Sequence, residues 1–198
     1  TLFAAAWLVL LWAALLRENG GHMPPPFPHF DKTAHCAAFF AQFWLAARAW
    51  LEENFPASLR GQTGIAAQLM DGPAPTGDVG LWKQRMGAKG WGTPTWPTEY
   101  GGGGLSPQQA RVLQQEMAKA GAFNPLMAGM GVTMIGPTIL DYGTEEQKQL
   151  YVRAIAEGRE IGAFALTEPQ SGSDATAMRC KAVKREDGTW AINGKKSW

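Results

Sequence analysis

The residues best suited to chemistry stand together near the C-terminal end, in Thr167-Glu-Pro-Gln-Ser-Gly-Ser-Asp174. An apolar run, Ile161-Gly-Ala-Phe-Ala-Leu166, leads into them, so a strand expected to be buried ends in a cluster of hydroxyls and backbone donors. Thr167 offers a hydroxyl and Pro169 fixes a turn. Gly172 lets backbone approach a ligand closely, and Ser173 adds a hydroxyl and an N–H. Such a loop can hold a pyrophosphate or a heteroaromatic edge by hydrogen bonds alone. Taken by itself it also reads as an ordinary turn, and these residues alone leave both readings open.

Other chemistries find little purchase. The formal charge is +1 and is spread along the chain, whereas nucleic-acid binding needs a clustered basic face, so no nucleic-acid partner is expected. Cys36 and Cys180 lie far apart and suggest no disulfide framework. His22, His29 and His35 have no acidic or Cys partners at ligand spacing, so no metal is expected, and a reducing, intracellular setting fits best. Gly101–Gly104 is not followed by Gly-Lys-Ser/Thr; it reads as a flexible connection, not a phosphate loop. Trp91 and Trp96 read as core, and Glu145, Glu146 and Lys148 as a solvated face.

The elements that must position the loop follow from the hydrophobic pattern. The chain has 198 residues, 45% of them apolar, and nine are Trp, enough for one large domain or two small ones. From about 48 the pattern is helical. RAWLEENFPASL ends near Pro56, Asp78 is placed to cap VGLWKQRMGAK, and Gly90 lies just past that helix. Ser106-Pro-Gln-Gln109 and Thr144-Glu-Glu-Gln147 are capping boxes that start two further helices, ending near Gly121 and Gly158. Between them NPLMAGMGVTMIGPTILDYG is expected to be a largely buried helix. Past 160 the period becomes that of strands: IGAFALT, then the alternating TAMRCKAVKRE, a turn at Asp187-Gly188, and a return strand in TWAINGKKSW. Helices followed by a β-meander predict an α+β fold.

LTEPQSGSD and, about twenty residues later, INGKKSW together resemble the acyl-CoA dehydrogenase family. In that family a T-E-P-x-x-G-S-D loop and an N-G-x-K-x-W-I-T strand flank the flavin of FAD. LWKQRMGAKGWGTPTWPTEYGG, GLSPQQARVLQQEMAKAG and YGTEEQKQLYVRAIAEGREIGAFALTEP resemble the family's helical N-terminal domain. The resemblance covers about 48–198. It implies a helical N-terminal domain over 48–160 and the start of the middle β-domain over 161–198.

By that resemblance Phe164, Leu166 and Thr167 line the flavin, with Thr167 bonding its polar edge. Ser173 meets the FAD pyrophosphate and the pantetheine side of the acyl-CoA substrate, and Trp198 packs against the flavin. Gln170 and Ser171 stand where Gly-Ala is common in the family, and Phe164 where Tyr or Trp is. The expected reaction oxidises an acyl-CoA to the trans-2-enoyl-CoA and passes electrons to an electron-transfer flavoprotein, in a homo-oligomer. No catalytic residue is expected here: the family's base is a carboxylate of a C-terminal helical domain, and Glu168 reads as structural. The sequence opens on Thr1 and closes at Trp198 before the motif's Ile-Thr, which reads as a fragment.

Residues 1–47 lie outside that pattern. TLFAAAWLVLLWAALL is uncharged for sixteen residues, and FPHFDKTAHCAAFF after it resembles VanZ-like membrane proteins. Each apolar run is short for a span of about 20 residues, so residues 1–45 are expected to seek a membrane surface or re-enter it. The expected setting is therefore cytoplasmic, with a membrane contact through 1–45. The competing expectation is that Phe39, Phe40, Phe43 and Trp44 pack as ordinary core. The alternative functions are a VanZ-like membrane protein without activity and an acyl-CoA oxidase.

Overall fold

The computed structural model describes residues 30–62, 76–127 and 129–197. The fold is α+β: helices through residue 156, then a two-stranded sheet. Helix α1 (Phe30–Asn54) ends just before Pro56, whose ring cannot continue a helix. Helix α2 (Gly77–Ala88) starts after Thr76; Asp78 lies in its first turn and is not the cap, because its carboxylate accepts from the Ser58 hydroxyl. Helix α3 (Pro107–Lys119) has the expected capping box: Ser106 accepts from the Gln109 N–H at 3.2 Å, and Gln109 accepts from the Ser106 N–H at 2.9 Å. Thr144 and Gln147 repeat it at the start of α5 (Glu145–Gln147).

The segment between α3 and α5 departs from expectation. A π-helical turn, Gly131–Ile135, runs into α4 (Gly136–Tyr142), with the Gly136 N–H reaching back five residues to Gly131. Pro137 follows at once; it has no N–H to give the ladder, and the widened turn accommodates it. The segment is not largely buried. Gly131, Val132 and Gly136 face inward, while Met127, Met130 and Met134 stay 40–50% exposed. A second π-helical turn, Lys148–Val152, joins α5 to α6 (Arg153–Ala156).

The core is aromatic. Ala47 and Leu51 of α1 and Phe55 just past its end recur every four residues and share one cluster with Trp82 and Met86 of α2. Trp82 is fully buried, sits 5.0 Å from Phe55 and 5.7 Å from Trp50, and donates its indole N–H to the Phe123 carbonyl at 2.8 Å. Trp91 and Trp96 are core, as expected. Leu113 and Met117 carry α3 into the same cluster. Beside them Glu116 is buried; hydrogen bonds from Lys119 and Trp44 hold its carboxyl below the ordinary range.

Gly101–Gly104 are not a flexible connection. The N–H groups of Gly101, Gly102, Gly103 and Gly104 bond to the carbonyls of Thr98, Pro97, Thr93 and Trp96. A Cβ on Gly102 would lie 2.3 Å from the Trp96 carbonyl oxygen, so the glycine is required by close backbone approach. Glu145 is likewise more than solvated surface, because it accepts from the hydroxyl of buried Tyr100 at 2.8 Å.

The apolar run at 2–16 lies outside the described residues. The second run is part of α1, and no helix among the described residues is long and apolar enough to cross a membrane. Phe43 packs edge-on to Trp91 at 6.3 Å, whereas Phe39, Phe40 and Trp44 are 69%, 41% and 37% exposed. Core packing therefore claims Phe43 alone of the four.

Strands β1 (Lys181–Lys184) and β2 (Trp190–Asn193) pair antiparallel, Lys181 opposite Asn193 and Lys184 opposite Trp190. Asp187 and Gly188 form the turn as expected: Gly188 donates to Arg185 at 3.1 Å, and Asp187 accepts from the N–H and hydroxyl of Thr189. The other strand expectations are corrected. Ile161–Thr167 forms no strand, since no neighbouring strand pairs with it. The strand expected from Thr176 begins only at Lys181, because a side chain claims the N–H groups of Arg179 and Cys180.

Candidate functional site

The run Ile161–Thr167 leaves α6 and crosses the π-helical turn at Gly131 and Gly162, where a Cβ on Gly162 would come within 2.5 Å of the Gly131 Cα. Past that crossing Phe164 and Leu166 stay about 40% exposed, next in sequence to the polar loop. The loop begins with a tight turn. Glu168 and Ser171 exchange backbone bonds of 2.9 and 3.0 Å around Pro169-Gln170, with Pro in its preferred turn position. The buried Ser171 hydroxyl donates to the Asp174 carbonyl at 2.6 Å, and the Asp174 carboxylate accepts from the N–H and hydroxyl of Thr176. These Thr176 bonds hold the Asp174 carboxyl below its ordinary range.

What the loop leaves unused matters most. Thr167 and Ser173 are both exposed, and among the described residues neither hydroxyl and neither N–H has a hydrogen-bond partner. The loop thus presents donors outward beside the apolar Phe164 and Leu166. Trp198 lies outside the described residues.

Glu168 holds the site together. Its carboxylate is 3% exposed and accepts from the Arg179 N–H (2.7 Å), the Cys180 N–H (3.0 Å), the Gln170 side-chain amide (2.6 Å) and the Lys196 ammonium (3.0 Å). The Arg179 N–H first, then Cys180 and Lys196, push its carboxyl far below the usual range. The same carboxylate, with burial, raises the Cys180 thiol. Lys196 also donates to the Leu166 carbonyl at 2.9 Å, and the Ser197 N–H donates to the Thr167 carbonyl at 2.9 Å. Gly194 allows this return: its φ is +151°, and a Cβ there would sit 2.0 Å from the Cys180 sulfur.

The structure therefore ties Leu166 and Thr167 to the end of the hairpin, while Phe164 is exposed two residues before Leu166 and Ser173 is exposed two residues past the turn. Lys196 escaped the sequence reading. It stands inside the INGKKSW motif, but only the fold shows which of its two lysines turns inward.

Two family models match the chain: the acyl-CoA dehydrogenase N-terminal domain over 46–159 and the acyl-CoA dehydrogenase middle domain over 163–198. The chain belongs to the acyl-CoA dehydrogenase family. It is 37% identical over 114 residues to the acyl-CoA dehydrogenase FadE26 of Mycobacterium tuberculosis, a match covering 58% of this chain and 28% of that protein. It is 37% identical over 121 residues to the mitochondrial isovaleryl-CoA dehydrogenase of Solanum tuberosum, covering 61% and 29%. Among solved structures, the G363A variant of the steroid acyl-CoA dehydrogenase Tcur3481–Tcur3483 superposes with a TM-score of 0.54 at 30% identity, covering 81% of this chain and 40% of that one. The chain thus spans less than a third of these two relatives' length.

Proposed function

We propose that this chain supplies one wall of the flavin pocket of an FAD-dependent acyl-CoA dehydrogenase that converts an acyl-CoA to the trans-2-enoyl-CoA. Helices over 48–160 form the N-terminal domain and residues 161–198 begin the middle β-domain. One observation carries the reading: in the motif loop Thr167 and Ser173 have donors without partners among the described residues, and exposed Phe164 and Leu166 directly precede that loop. An isoalloxazine offers the complement, an apolar face edged by acceptors, and a pyrophosphate suits the Ser173 hydroxyl and N–H. Phe164 and Leu166 take the ring, Thr167 its polar edge, Ser173 the pyrophosphate and pantetheine, and Trp198 packs against the ring. When bound, the flavin supplies the hydride acceptor.

Glu168 is not the base. Both its oxygens are occupied and it stays ionised with an amine beside it, so it holds backbone instead of moving a proton. Electron-transfer flavoprotein as acceptor, assembly as a homo-oligomer and a cytoplasmic setting belong to the same reading.

The test is FAD retention. Thr167→Val keeps the shape and removes a hydroxyl, leaving a flavin atom short of a partner at about 1–3 kcal/mol. The FAD dissociation constant and the flavin-to-protein ratio, measured for both forms, should move accordingly; unchanged values mean that Thr167 does not face the flavin.

A further inference from the structure

Between residues 161 and 197 only Glu168 and Ser171 are fully buried, and neither is apolar. A segment that buries no apolar residue of its own must take its shape from hydrogen bonds. Three stretches of chain meet at one carboxylate: the loop through Glu168 itself, the approach to β1 through the Arg179 and Cys180 N–H groups, and the strand end through Lys196. Lys196 grips the loop twice, since its ammonium holds both the Glu168 carboxylate and the Leu166 carbonyl. One residue on, the Ser197 N–H takes the Thr167 carbonyl at 2.9 Å. The last of these contacts is made by Thr167, one of the two residues whose donors have no partner among the described residues.

We propose that Glu168 and Lys196 are a positioning pair: they set the spacing between the Leu166–Thr167 end of the loop and the Lys196–Ser197 segment after β2, and so determine how tightly FAD binds. The inference rests on the flavin reading above. Neither side chain needs to touch the cofactor. A carboxylate takes donors from several directions, and an ammonium reaches a carboxylate and a carbonyl at once. Without Lys196 the buried carboxylate loses its only cationic partner among the described residues, and Leu166 loses its tie. Gly194 fits this role, because any side chain there would push the strand end off Cys180 and carry Lys196 with it.

The test titrates the 198-residue chain with FAD, following flavin fluorescence and the exchange rates of individual backbone N–H groups. Lys196→Met should raise the FAD dissociation constant tenfold or more and release the Ser197 N–H. The Ala182–Ile192 pairing of the hairpin and the melting temperature of the helices should stay unchanged. Lys196→Arg, which keeps a cation with several donors, should recover most of the affinity, while Lys195→Met should match the parent. If Lys196→Met binds FAD within twofold of the parent, the inference is overturned and the flavin reading stands. If affinity is lost only together with the hairpin's own protected N–H groups, Lys196 is scaffold and the inference is again overturned. If the parent chain takes up no FAD at any concentration, the flavin reading fails and the inference falls with it.

Discussion

The helices and the segment after residue 160 are built on opposite principles. The helices pack around apolar side chains from Ala47 to Ala156, with Trp82 at the centre. In the C-terminal segment the apolar residues face out: Ile161, Trp190 and Ile192 are 73%, 61% and 78% exposed. Its order comes from turns, one two-stranded ladder and the carboxylate of Glu168. Two-stranded hairpins are marginal on their own, so this half depends on polar contacts that apolar burial does not support. The lesson is one of division of labour: the helices carry stability, and the loop and hairpin carry surfaces left open for other groups.

That contrast can be broken from either side. The largest effect is expected from Trp82→Ala, which empties the centre of the aromatic cluster and leaves the Phe123 carbonyl without its donor. A loss of about 3–5 kcal/mol is expected in thermal or urea unfolding, with the hairpin's chemical shifts untouched. Movement of the hairpin signals by the same amount would show that the halves fold as one. Next is Gly102→Ala, where the new Cβ meets the Trp96 backbone; about 1–3 kcal/mol should be lost. No loss would return Gly101–Gly104 to a loose connection. Smaller still, Ser106→Ala removes the α3 cap and should cost about 1 kcal/mol.

The smallest effect on overall stability sharpens the contrast through pH. The Glu168 carboxyl is depressed in the folded chain, so the order it contributes is complete above the ordinary glutamate value of 4.5 and is lost as pH falls below it toward the depressed value. The Arg179 and Cys180 N–H groups should therefore keep their protection from neutral pH down to about pH 5 and lose it only in stronger acid. Helical circular dichroism should show no matching step. Loss of that protection above pH 5 would mean the carboxylate is less firmly held than its four donors imply.

Local chemistry was legible in the sequence. Two capping boxes, the Asp187-Gly188 turn and the helix ends near Pro56, Gly90, Gly121 and Gly158 depend on residues within a few positions of one another, and all appear as read. The paired motifs that mark the family were likewise visible, because their residue types and spacing are themselves the signal. Misreadings came wherever a distant partner decided. Asp78 looked like a cap until Ser58, twenty residues earlier, took its carboxylate. Ile161–Leu166 has the composition of a strand, yet a strand needs a neighbour's backbone, and composition cannot supply one. The four glycines at 101–104 suggested looseness, whereas contact with the Trp96 and Pro94 backbones makes that stretch tight. Glu168 is the sharpest case. The sequence marks it as part of a turn, and only the fold brings Arg179, Cys180 and Lys196 to its two oxygens, because a buried carboxylate must gather donors from wherever the chain returns.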